Sequence, residues 1–332
     1  MQNKDFVSSG RELVRDAGVP AVDQPYEAAN YDRWFDFIKR EDYQRYGIEH
    51  AAFREIVSIT KHELEEQTGF ELGHMDVVYN YQRGTNGYAV VDPSGPFFVH
   101  IDQSLDMQLF GLTLAMVTWM RDYDNDPSDL FFLRQVLYCM NELFVLSNLP
   151  ENEMRTRLFD RVASDMQILD LASDLYWAML VFTIGHEFGH AYQMASGPEL
   201  WGGRRHGSEY HADSLGYRVL LGLIRKGCVG SFQFEPYTCL APMMYLGYYQ
   251  MARETDRVLY GVCGEPATHP TLARRLNALY KLYDKSGVES GDAVGIYEWF
   301  LFLYDEYVRM LRDLARRGRL EGIRHPEERF GR

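Results

Sequence analysis

The sequence predicts a mainly helical α+β protein with one small antiparallel sheet, and three observations carry that reading. Apolar and aromatic residues recur at three- and four-residue intervals, as at Tyr31, Trp34, Phe35, Phe37 and Ile38, which is the spacing of one helix face. Between residues 75 and 102 the pattern changes to short β-branched and aromatic runs, MDVVYNY, YAVVD and FFVHID, as strands require. Turn chemistry separates those runs at Thr85-Asn86-Gly87 and Asp92-Pro93-Ser94-Gly95. Asn-Gly tolerates positive φ, and Pro-Ser-Gly interrupts a strand.

Taken in order, residues 1–70 read as an N-terminal helical segment whose last helix covers about 51–67 and stops near Gly69. The three runs of 75–102 follow as the antiparallel sheet. Helical periodicity returns from 103 to 196, broken at 122–128 and at Asn148-Leu149-Pro150. A Gly-rich loop over 197–207 precedes a helix over 208–226, capped by Ser208 and stopped by Gly227. Further helices are expected over 241–257, 270–284 and 297–316, with a C-terminal helix and basic tail making up 286–332.

The totals exclude several function classes. The formal net charge of −14 over 332 residues argues against a nucleic-acid surface, which needs clustered Lys and Arg. The basic stretch Arg316, Arg317, Arg319 and Arg324 reads as a solvated helix end and tail. The opening residues MQNKDFVSSGRELVRD lack the apolar region of a signal peptide. The most apolar runs, 109–120 and 176–185, fall short of the ~20 residues a membrane span needs. Cys139, Cys228, Cys239 and Cys263 show no CxxC spacing, which fits reduced thiols in a cytoplasmic protein.

Residues 186–190 read His-Glu-Phe-Gly-His. On a helix, positions i and i+4 share a face, so His186 and His190 can reach one metal ion. Glu187 then stands beside the first ligand as a candidate general base. Zinc lowers the pKa of a bound water from about 15.7 to about 7, within reach of a carboxylate acting as proton shuttle. The apolar run 176–184 leads into the motif, as a core helix with inward ligands requires. Gly185 and Gly189 are poor helix formers, and their presence implies that a backbone or a substrate approaches this helix closely.

A catalytic site of this kind takes three protein ligands and keeps one position open. The metzincin pattern needs a histidine at position 196, which is Ser196 here, so that class is excluded. The leading third ligand is Glu209 in Glu209-Tyr-His-Ala-Asp213, 19 residues after His190, with His206 and His211 as alternatives. Asp213 follows one turn after Glu209 on the same face, where it can accept the second ring N–H of a ligand histidine. Zinc is the expected metal, one ion per chain, in a donor set that also tolerates cobalt and manganese.

With HExxH at 186–190, Glu-x-x-Ala-Asp at 209–213 and Thr268-His-Pro-Thr-Leu-Ala-Arg-Arg-Leu276 in that order, the chain resembles gluzincin metallopeptidases of the HtpX and CAAX-prenyl-protease type. Asn86-Gly-Tyr-Ala89 and the strand over 97–101 are similar to that family's turn and following strand. The resemblance covers about 75–102 and 173–285. It implies a zincin-like metallopeptidase domain over 71–285, with a sheet-edge strand pairing with an extended peptide substrate. It also implies that His269 approaches the site as a catalytic group, with a nearby tyrosine as the alternative oxyanion donor. The family's six-residue spacing from that histidine selects Arg275, rather than Arg274, as a supporting residue.

The chain departs from the family in two ways. Nothing here is expected to span a bilayer, and a largely helical insertion over about 103–172 separates the strand from the HExxH helix. The functional expectation is a zinc-dependent metallopeptidase acting on peptide or protein substrates. Two alternatives stay open: a regulatory or host-defence protease with one narrow protein substrate, and a non-catalytic metal-bound interaction module.

Overall fold

The computed structural model describes residues 51–73, 75–80, 87–91, 97–102, 109, 113, 116–117, 166–197, 205–229, 235–261, 270–288 and 293–318, the strands through their backbones alone. The expected segment over 1–50, most of the expected insertion, His269 and the tail beyond 318 lie outside the described residues. Helix α1 covers Ala51–Thr68, followed by strands β1 (Met75–Asn80), β2 (Gly87–Val91) and β3 (Phe97–Asp102). Helices α2 (Met166–Ser196), α3 (Arg205–Arg225), α4 (Glu235–Thr238), α5 (Ala241–Tyr260), α6 (Leu272–Lys285) and α7 (Ala293–Arg316) complete the order.

The expected fold, with its small antiparallel sheet, needs correction. Every element described with its side chains is a helix, and the three strands do not pair as an antiparallel set. Their order is β1-β3-β2, with β1 parallel and β2 antiparallel to β3. Met75 lies opposite Phe97 and Asn80 opposite Asp102, while on the other flank Gly87 faces Ile101 and Val91 faces Phe97. β1 and β2 therefore hold opposite edges and never pair, so the Asn86-Gly87 signal does not mark a hairpin between neighbours. A turn signal is local, whereas the choice of strand partner is made by contacts distant in sequence.

α2 organises the helical part. Its 31 residues span about 46 Å at 1.5 Å per residue, uninterrupted by proline. Leu175, Tyr176, Leu180 and Val181, which point in different directions round the axis, are all buried, so this stretch is enclosed on every side, as a core helix is. Each such side chain contributes about 1.5–3 kcal/mol by leaving water. α1, α3 and α5 pack on it, as do β2 and β3. Gly197, with φ of 98°, ends it in the left-handed region that glycine adopts without a Cβ clash.

α3 crosses α2 with the two backbones almost touching. A Cβ placed on Gly185 would lie 3.1 Å from the Gly216 Cα, and one on Gly189 would lie 3.0 Å from the Ala212 Cα. A Cβ on Gly216 would meet the His186 nitrogen and the Phe182 oxygen, each at 2.9 Å. The helix-weakening glycines thus make room for a neighbouring backbone, at about 1 kcal/mol each in propensity. α3 itself begins at Arg205, so Ser208 sits inside its first turn rather than capping it. At the other end, the Gly227 N–H donates to the Ile224 carbonyl and the Cys228 N–H to the Leu223 carbonyl, both at 2.9 Å, which is a Schellman stop. Among the described residues, no helix is long and apolar enough to cross a membrane.

Candidate metal centre

The close crossing of α2 and α3 sets one face of each helix against the other. His186 and His190, one turn apart on α2, present their rings edge to face with centroids 4.7 Å apart. Their Nε2 atoms lie 3.1 Å from each other. From α3, Glu209 brings one carboxylate oxygen to 3.7 Å from the His186 Nε2 and the other to 3.5 Å from the His190 Nε2. A tetrahedral ion with bonds of about 2.0–2.2 Å separates its ligand atoms by about 3.3–3.6 Å, which these distances bracket. The three donor atoms lie within 4.8 Å of one another, and among the described residues this His186–His190–Glu209 group is the one that can hold a metal ion.

The charge balance fits a cation. Glu187, Glu209 and Asp213 are buried together with one buried guanidinium, Arg275. With both histidines neutral, as metal ligands must be, three carboxylates against one arginine leave a formal surplus of two negative charges, which a divalent cation offsets. Buried charge without such compensation is costly.

Asp213 stands behind His186. Its carboxylate lies 3.0 Å from the His186 Nδ1, which turns the Nε2 toward the cluster. Arg275, on α6, grips the same carboxylate with two N–H groups, Nε to Oδ2 at 2.8 Å and Nη2 to Oδ1 at 2.6 Å. Its Nη1 also lies 3.8 Å from Glu209. Arg275 shares a buried stripe with Leu279 and Tyr283, whereas Arg274 points to solvent. Burial alone would raise the Asp213 carboxyl, yet the Arg275 charge and the His186 hydrogen bond hold it down to about 2. Burial pulls His186 down, but the Asp213 hydrogen bond and charge outweigh it and hold the ring above its ordinary value.

His190 is supported differently. Its Nδ1 lies 3.3 Å from the side-chain oxygen of Gln193, and burial, followed by the charge of His186, pulls the ring down to about 3. The sequence reading missed Gln193, whose only local signal is its position three residues after His190 on the same helix. It also missed Tyr245, on α5, whose ring packs edge to face on Phe182 with centroids 5.8 Å apart. Burial and then the charge of Glu187 push the Tyr245 phenol above its ordinary range, so the hydroxyl keeps its proton beside the site.

Of the alternative third ligands, His211 lies outside the cluster, stacked on Tyr192 at 6.3 Å between centroids and 3.2 Å from the Gln193 amide. The His206 side chain, like His269, lies outside the described residues. Comparison with protein-family models, with curated proteins and with solved structures finds no match to this chain.

Proposed function

We propose that this chain is a zinc-dependent metallopeptidase. The observation that carries the reading is the convergence of His186, His190 and Glu209 on one point, with Glu187 buried next to the first ligand. A structural zinc site takes four protein ligands and needs no adjacent base, whereas three protein ligands leave a position for water. Zinc, when bound, acidifies a water molecule and polarises the scissile carbonyl.

The chain's own residues supply the rest. Glu187 takes a proton from the attacking water and passes it to the leaving amine nitrogen, as the water oxygen bonds to the carbonyl carbon and the C–N bond breaks. Asp213 and Arg275 hold His186 in the orientation that presents Nε2. The Tyr245 hydroxyl, protonated at neutral pH and hydrogen-bonded to Thr183, would turn from Thr183 to donate to the developing oxyanion, a role that His269 shares under the family resemblance. A cytoplasmic setting belongs to the same reading, on the four cysteines without CxxC spacing.

The test has two parts. Metal analysis of the purified protein should find one zinc per chain, lost in His190→Ala. Glu187→Gln should then keep its zinc while turnover of a mixed peptide pool drops by about 10²–10⁴-fold, the usual contribution of a general base. Zinc retained in His190→Ala, or undiminished cleavage by Glu187→Gln, would overturn the assignment. Cleavage confined to one protein in a lysate would select the narrow-substrate alternative.

A further inference from the structure

We propose that Gln193 is a positioning residue that fixes the ring tautomer of His190 and so aims its Nε2 lone pair at the metal position. This rests on the metal-site reading of His190. Gln193 is buried, and the orientation of its amide follows from what surrounds it. A backbone carbonyl can only accept a hydrogen bond, so the amide atom 2.8 Å from the Ser208 carbonyl is the nitrogen. The second N–H of that nitrogen meets the Nδ1 of His211 at 3.2 Å. Both amide hydrogens are thereby used.

The amide oxygen is left facing the His190 Nδ1 at 3.3 Å, and the Ser208 hydroxyl donates to the same oxygen. An acceptor opposite Nδ1 requires the ring proton there. The Ser208 hydroxyl oxygen, 3.4 Å from the same Nδ1, can accept from that proton as well. Nε2 then carries the lone pair and faces Glu209 and the His186 Nε2. Flipping the amide would set its oxygen against the Ser208 carbonyl, two acceptors at 2.8 Å with no proton between them, a loss that no change of ring tautomer repairs.

His211 completes the chain of direction. To accept from Gln193 its Nδ1 must carry the lone pair, which places the ring proton on Nε2. Free imidazole favours the proton on Nε2, so without Gln193 the ring of His190 has a reason to turn the wrong nitrogen outward. A ligand histidine whose second nitrogen loses its partner typically costs 10–100-fold in metal affinity.

The experiment uses ¹⁵N-labelled full-length protein, stripped of metal, with ring tautomers read from long-range nitrogen–proton correlations, and zinc affinity measured by competition with a chelator. Wild type should show His190 protonated at Nδ1. Gln193→Met, similar in size but without an acceptor, should move His190 toward the Nε2-protonated form and weaken zinc by about 10–100-fold. His186, held by Asp213, should keep its tautomer in that variant.

An Nε2-protonated His190 in wild type would overturn the proposal, a measurement that needs no variant to fold. An unchanged tautomer in Gln193→Met would overturn it too. If wild type takes up no zinc, the metal-site reading falls by itself, while the tautomers still decide the role of Gln193.

Discussion

Behind His186 stands a buried charge pair, Asp213 with Arg275, whereas behind His190 stands a neutral amide, Gln193. The two rings sit on one helix, one turn apart, and each faces one of the two Glu209 carboxylate oxygens. Their supports nevertheless differ in chemistry and origin. The His186 support ties three helices together, because Asp213 comes from α3 and Arg275 from α6. The His190 support is local to α2 and the first turns of α3. A charged support couples the site to the stability of the whole helical packing, while a neutral one orients a ring without adding charge to a pocket already rich in carboxylates.

The largest expected effect comes from removing the positive member of the pair. Arg275→Met leaves the Asp213 carboxylate buried and uncompensated, and breaking such a pair costs about 3–5 kcal/mol. Urea unfolding should show that loss, and pairing Arg275→Met with Asp213→Leu should recover much of it. Additive losses in the double variant would mean that the two residues act independently.

Gly216→Ala tests what the two supports share. The added Cβ would press on backbone atoms at 2.9 Å, and overpacking of this kind costs about 1–3 kcal/mol. Both supports bridge α2 and α3, so zinc affinity should fall together with stability. A destabilised variant with wild-type affinity would show that the site tolerates a shift of α3.

Asp213→Asn touches the His186 side alone. It should weaken zinc by about 10–100-fold and leave the His190 tautomer where it was, and movement of His190 instead would erase the distinction between the two supports. The smallest effect is in pH dependence. The Asp213 carboxyl is held down to about 2 from its ordinary 3.8, so its folded pKa lies below the unfolded one. Its contribution is present above pH 3.8 and is lost as pH falls through about 2. The stability gap between wild type and Asp213→Asn should therefore close as pH falls from 3.8 toward about 2, and a gap that widened over that range would contradict the pairing.

Much of the site is legible in residue order because its geometry is helical. HExxH puts two imidazoles on one face at i and i+4, and Glu209 with Asp213 repeats that spacing on α3. Gly185 and Gly189 signalled a close approach, and the α3 backbone supplies it. Gln193 escaped because a glutamine at i+3 looks like any polar helix residue until Ser208 and His211 are brought against it. Tyr245 escaped because it lies 58 residues beyond Glu187 in the chain. The strand order escaped because β-branched runs and turn residues report where strands are, and the parallel pairing of β1 with β3 is chosen by contacts across the intervening chain.

By itself, the sequence determined the helix that carries the histidines, the carboxylates one turn apart on its partner and the glycines that let the two helices meet. Those are short-range facts, set by a 3.6-residue repeat and by the size of a missing side chain. Only the tertiary structure decided that Asp213 serves His186, that Gln193 serves His190 and that Arg275 reaches in from α6. Hydrogen-bond partners are chosen by atoms within about 3 Å of one another, and that proximity is created when the helices pack.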